Sequence, residues 1–253
     1  MTRQKLVFPL TFLVITLFLQ MLATPGWSQS RQGQANTKNN SNSTVRVSFE
    51  PPNGDRPRDT AGGASRDGGR CPQDPQNVQP YITAVLPANN YGLTVASHPT
   101  FFVYLPPTVA QKAFFSIRDE SDRDHYQTFL PLQQKSGVMA IQLPADAPPL
   151  EMGKTYKWSF AIACDNSLRP DSPLVEGQIQ RVEMNSALSI QLEKATALEK
   201  AALYGKAGIW YETLTILSDL RRNQPENADI AANWADLLKS VELDAIATQP
   251  LIK

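Results

Sequence analysis

The chain is poor in the residues that carry most protein chemistry: 253 residues include only two histidines and two cysteines. So little His and Cys excludes a closed zinc site built from four such ligands in several copies, and leaves scant material for a His-based triad. Net charge is also lacking, since 24 Lys plus Arg balance 24 Asp plus Glu. That balance removes the basic footprint that nucleic-acid binding demands, and no nucleic-acid partner is expected. No Gly-x-Ser-x-Gly elbow, no Cys-x-x-Cys pair and no helix-opening phosphate loop occurs. Hydrophobic residues at 42% still allow a packed core, and 20 prolines against 13 glycines point to a chain rich in turns and strands.

The first 28 residues have the layout of a secretory signal peptide. Arg3 and Lys5 precede an uncharged run, Leu6 to Leu22, followed by small residues at Gly26 and Ser28. A membrane anchor is the competing reading, but Pro9, Thr11, Thr16 and Gln20 interrupt the run. Export to the periplasm or the cell exterior is therefore expected, with membrane contact only through residues 1–28 before cleavage. Residues 29–77 follow as a Pro/Gly-rich linker. From Gln29 to Pro80 there is no Leu, Ile, Met, Tyr or Trp, so the segment has little to bury against its ordering entropy. Within it, Val45-Arg46-Val47-Ser48-Phe49 alternates like a short strand, and residues 60–70 form a glycine-rich, basic stretch.

Cys71 and Cys164 lie 93 positions apart. After export both meet an oxidising compartment, and a single disulfide tying the linker's end to the folded domain is expected. Two free thiols or a redox pair are the alternatives.

Residues 78–184 break into short apolar runs separated by turn residues. Strands are expected at 81–86, 99–105, 111–118, 125–130, 138–143, 154–164 and 174–182, which suits an antiparallel sandwich. The sixth is the clearest: Tyr156, Trp158, Phe160, Ile162 and Cys164 alternate with smaller or polar residues. Leu150, Gly153 and Tyr156 resemble the tyrosine corner of immunoglobulin and fibronectin type III domains, although the cysteine spacing departs from that of immunoglobulins. The acidic turn at 119–124 offers oxygen ligands for calcium but is short and contains Arg123, so a solvated hairpin turn is the plainer reading. His98 and His125 have no nucleophile in a recognisable motif beside them. Asp146 and Glu151 suit glycoside hydrolysis only at the right separation.

After Pro173 no proline occurs until Pro225, and Ala, Leu, Glu and Lys dominate. Residues 185–245 read as a three-helix unit: a first stripe through Leu188, Leu192, Leu198 and Ala202, a middle helix at 209–222, and a last helix at 227–241. Tyr204, Gly208, Trp210, Leu217, Leu220 and Pro225 resemble one tetratricopeptide repeat, and residues 246–253 form a tail. Trp210 and Tyr211 are candidate partner contacts, with core packing as the competing role.

Several separated segments together resemble one known family. They are Arg46 to Pro52, Thr60 to Arg66, Gly92 to Tyr104, Leu143 to Leu150, Trp158-Ser-Phe160 and Ala207 to Tyr211. In order and spacing they look like the exported cyanobacterial family known as domain of unknown function nine hundred twenty-eight. The resemblance implies export and supplies no activity, cofactor or catalytic residue. The expected fold is thus β plus α, an immunoglobulin- or fibronectin-like antiparallel sandwich followed by a short tetratricopeptide-like unit. The expected function is non-catalytic: an interaction or scaffold protein of the cell envelope that engages an envelope protein partner and needs no cofactor. An envelope polysaccharide or small-ligand module, with Tyr91 or Tyr104 stacking on sugar rings, is the alternative, and a carboxylate-based hydrolase the third reading.

Overall fold

The computed structural model describes residues 45–52, 70–76 and 78–252. The expected signal peptide at 1–28 and most of the expected linker lie outside the described residues. Among the described residues, nine strands and four α-helices follow one another along the chain. The strands are β1 (Thr83–Ala84), β2 (Tyr91–Thr94), β3 (Thr100–Leu105), β4 (Lys112–Arg118), β5 (Asp124–Pro131), β6 (Gly137–Gln142), β7 (Thr155–Ile162), β8 (Leu174–Arg181) and β9 (Leu251–Ile252). Between β8 and β9 come helices α1 (Ser186–Lys194), α2 (Ala197–Lys206), α3 (Trp210–Asn223) and α4 (Ala228–Ser240). The fold is therefore mixed β plus α.

The strands form two sheets, one ordered β1-β3-β6-β9 and the other β2-β8-β7-β4-β5. Both are mixed, because β2 runs parallel to β8 and β9 parallel to β6. This corrects the expectation of an all-antiparallel arrangement. The two parallel pairs involve strands of four and two residues, too short to show a period, at the sheet edges where the chain enters or returns.

Period two in β7 does what the sequence implies. Tyr156, Trp158, Phe160 and Ile162 are buried while Lys157 is exposed. The two sheets meet through rings: Phe101 of β3 lies 5.0 Å from Phe115 of β4 and 5.5 Å from Trp158 of β7, centroid to centroid. At the entrance to β7 the Glu151 amide donates to the Tyr156 hydroxyl at 3.1 Å, and Gly153 turns the chain at φ +80°. The corner reading of these residues thus has a physical basis: a buried phenol holds the preceding turn.

The helical region has four helices rather than three. What reads as one apolar stripe from Leu188 to Ala202 is cut at Thr196, which caps α2 by accepting from the Glu199 amide while the Glu199 carboxylate accepts from the Thr196 amide. That reciprocal pair satisfies two otherwise orphaned donors and outcompetes helix continuation through Ala195. Asn185 and Asn227 cap α1 and α4 with their side-chain oxygens, which accept from first-turn amides. The helices share the core of the sheets. Phe101 touches the Tyr211 ring at 5.6 Å, and Trp210 Nε1 donates to the Val85 carbonyl at 2.9 Å. Residues 246–253, expected as a tail, contain β9, which adds a strand to the first sheet.

Candidate functional site

The disulfide pair is formed: Cys71 and Cys164 Sγ are bonded, with both residues buried. The bond pins the loop 71–76 to the 3-10 turn Cys164–Asn166. Asp74 secures that loop further, accepting from the Cys71 amide, the Thr108 hydroxyl and the Val109 amide.

Trp210 and Tyr211 are 0% and 2% exposed, so neither is presented to a partner. Trp158 Nε1 donates to the Tyr211 hydroxyl at 2.8 Å, and burial raises the Tyr211 phenol well above its ordinary range. Gly92 of β2 allows the close approach: a Cβ there would stand 2.8 Å from Tyr211 Cε2. Both aromatics are joints between α3 and the sheets. Tyr104 is buried as well, which removes it as a sugar-stacking surface. Tyr91 is half-buried, its hydroxyl bonded to Gln180 Oε1.

The acidic turn at 119–124 is occupied by its own chain. Asp119 Oδ1 accepts from the Ser121 and Arg123 amides, its other oxygen pairs with the Arg123 guanidinium at 2.7 Å, and these bonds hold its carboxyl below the usual range. Glu120 caps β7 by accepting from the Thr155 amide. Among the described residues no cluster of three or more His, Cys, Asp or Glu is placed to hold a metal. His98 Nε2 bonds the Ala147 carbonyl and His125 Nε2 the Pro148 carbonyl, and Glu151 pairs with Lys154 at 2.8 Å.

A cleft of about 530 Å³ lies elsewhere, on the outer face of the five-stranded sheet. Its floor follows from register. On β4, β7 and β8 the outward residues align across the strands as three rows. Arg118 stands opposite Lys157, which stands opposite Gln178. In the next row Gln127, Ser116, Ser159 and Glu176 are neighbours, with Ser116 Oγ 2.8 Å from Ser159 Oγ. The third row is apolar: Phe129, Phe114, Ala161 and Leu174, with the two phenylalanine rings 5.1 Å apart and Phe129 52% exposed. Two like charges directly opposite on a sheet are unfavourable. Here each has an acidic neighbour at the rim: Arg118 pairs with Asp124 at 3.2 Å and Lys157 lies 4.0 Å from Asp122. The cleft therefore presents an ionic end, a hydroxyl middle and an aromatic end within three strands.

A second site is a groove in the helical region, filled by residues 45–52. Asn233 of α4 holds this extended segment by both ends of its amide: Oδ1 accepts from the Val47 amide at 2.7 Å, and Nδ2 donates to the Val45 carbonyl at 3.2 Å. The Glu50 amide donates to the Gly205 carbonyl at 3.0 Å, and Arg46 pairs with Asp236 at 2.8 Å. Val47 is buried and Phe49 packs edge-on against Trp210 at 4.8 Å. A side chain at position 205 is impossible here, because a Cβ would stand 2.2 Å from the Ser48 carbonyl oxygen. Residues 45–52 are thus bound to the helices rather than forming part of a loose connector, and Val47 and Phe49 realise the alternation visible in the sequence.

The profile of the family described as Domain of Unknown Function (DUF928) matches residues 61–251. The chain belongs to this family. No curated protein matches it. In this DUF928 protein the matched span contains the cleft, both cysteines and all four helices, while residues 45–52 lie before it.

The cleft was beyond sequence reasoning because it depends on register: Phe114, Ser116, Ser159 and Glu176 come from three strands. The one available signal was the outward set of β7, Lys157 and Ser159, between the buried aromatics.

Proposed function

We propose that this DUF928 protein is an exported, non-catalytic binding protein of the cell envelope, and that it holds an envelope polysaccharide in the cleft on the outer face of the five-stranded sheet. The observation that carries this reading is the graded set of rows on β4, β7 and β8. A sugar ring has an apolar face and a rim of hydroxyls. Phe114 offers a flat ring to the first, with Phe129 packed beside it outside the lining, and Ser116, Ser159 and Glu176 offer donors and acceptors to the second. Binding clefts of this volume, with a few convergent polar groups beside apolar surface, suit ligands of two or three sugar units. The non-catalytic part of the reading draws on the placement of the histidines, both of which bond backbone carbonyls away from the cleft.

Export draws support from the charged and apolar pattern of residues 1–28 and from the disulfide, which suits an oxidising compartment. A cyanobacterial envelope is the setting we propose. The finer fold reading goes with it. We take the facing sheets and the Tyr156 corner as an immunoglobulin- or fibronectin-like sandwich, and α2 with α3, joined through Gly208, as a single tetratricopeptide-like pair.

Titration calorimetry of the mature chain with fractionated envelope polysaccharides tests the proposal. Binding is expected, weakened about tenfold or more in Phe114→Ala, the equivalent of ~1.4 kcal/mol. Absence of binding to every fraction, or equal binding by Phe114→Ala and the parent protein, would overturn it.

A further inference from the structure

Residues 45–52 have the properties of a bound ligand. The segment belongs to no strand or helix, and its contacts are those by which a groove recognises an extended peptide: main-chain bonds to Asn233 and Gly205, one buried aliphatic side chain, one aromatic anchor and one ion pair at the rim. It lies outside the covalent loop closed by Cys71–Cys164, so leaving the groove strains no cross-link. Residues 53–69, seventeen in number, separate Pro52 from Arg70. Fully extended they reach about 56 Å, more than the ~40 Å diameter of a compact domain of this size, so the segment of one molecule can reach the groove of another.

We infer that the groove formed by α2, α3 and α4 is a peptide-recognition site, and that its partner is the Val45–Glu50 segment of a second copy of this chain. Two copies exchange segments and become a closed dimer in which each groove keeps every contact it has in the single molecule. Exchange of identical elements creates a low-cost interface for that reason. Charge fits the same occupant, since Arg46 brings a cation to Asp236. Filling its own groove is first order in chain and exchange is second order, so a dilute chain fills its own groove and crowding copies together converts it. The groove is distinct from the polysaccharide cleft, and the inference stands independently of that reading.

The test uses full-length chains with the native disulfide kept oxidised and a short bis-maleimide as cross-linker. Cysteines at 46 and 236 replace the exposed rim pair with a cross-linkable one, while the contacts to Asn233, Gly205 and Trp210 remain. In the double variant R46C/D236C at about 1 µM the expected product is an internal cross-link. An equimolar mixture of R46C and D236C single variants at about 1 mM is expected to give a heterodimer joined at 46 and 236, lost when the incubation is run at ~1 µM. An excess of a synthetic peptide of residues 43–53, which competes for the groove, should lower heterodimer yield about tenfold. The inference is overturned if the double variant cross-links internally while the ~1 mM mixture yields no heterodimer. It is equally overturned by a heterodimer yield that the peptide does not change, or by the absence of the internal cross-link.

Discussion

At the scale of single residues, the joints between helix and sheet are polar atoms on large apolar side chains. Tyr211 takes a hydrogen bond from Trp158 Nε1 and donates one to the Gln178 carbonyl, all three inside the core. Tyr211→Phe leaves the indole N–H without its acceptor, and a destabilisation of about 1–3 kcal/mol is expected in urea unfolding. The sequence shows Trp210 and Tyr211 at the start of an amphipathic helix, but a core stripe and a partner stripe have the same period, so burial was not legible there. Glu212 supplies a second prediction. Its Oε1 accepts from the Thr94 hydroxyl and from the Val95 and Ala96 amides at 2.7, 3.0 and 3.0 Å, while Oε2 is shut off from solvent with no hydrogen-bond partner among the described residues. Burial pushes this carboxyl above the ordinary carboxylate range, and the three hydrogen bonds only partly oppose it. The folded state therefore holds the proton more tightly than the unfolded chain. Its contribution to stability is present below the ordinary glutamate range and is lost as pH rises through the raised value. Stability of the parent protein relative to Glu212→Gln should fall over that interval, measured as the difference between their urea midpoints from pH 4 to 8. A constant difference would contradict the assignment.

At the scale of elements, all seven expected strands were legible, the edge strands β1 and β5 included, and the two parallel edge strands β2 and β9 were not. β3, β4, β6, β7 and β8 lie close to their expected positions because each is long enough for its apolar pattern to register. β2 and β9 exist only because neighbours provide a ladder, and neither pattern nor propensity marks them. The capping box at Thr196 and Glu199 was available as a local signal and was masked by the apolar stripe running through it. Thr196→Ala with Glu199→Ala removes both cap bonds, and a loss of about 1 kcal/mol is expected, with reduced far-ultraviolet helical signal near the transition. The 45–52 segment makes a similar point. Its alternation of Val45, Val47 and Phe49 was visible, but a groove to receive them needs three helices from the other end of the chain. The disulfide was legible as a pair from count and compartment alone. Cys71→Ser with Cys164→Ser opens a loop of 93 residues, and in the chain-entropy view the folded state loses on the order of 4 kcal/mol, read as a lower denaturation midpoint.

At the scale of the whole molecule, sheets and helices form one body around Phe101, Trp158, Trp210 and Tyr211. A single unfolding transition follows, with near-ultraviolet signal from the buried tryptophans and far-ultraviolet helical signal lost together. Two separated transitions would show that the helices fold apart from the sheets. This rigidity bears on the cleft: rows of side chains on three paired strands keep their spacing without a ligand, so little ordering cost opposes binding. The cleft also explains why composition was silent about function. Its serines, lysine, arginine and phenylalanine are ordinary residues whose meaning comes from register alone. The most direct measurement is a backbone amide spectrum of the isotope-labelled mature chain titrated with short envelope oligosaccharides. Shifts concentrated at Phe114–Arg118, Lys157–Ser159 and Leu174–Gln178, saturating with ligand, are the predicted result. Shifts confined to other surfaces, or none at saturating oligosaccharide, would contradict the placement of the ligand on this sheet.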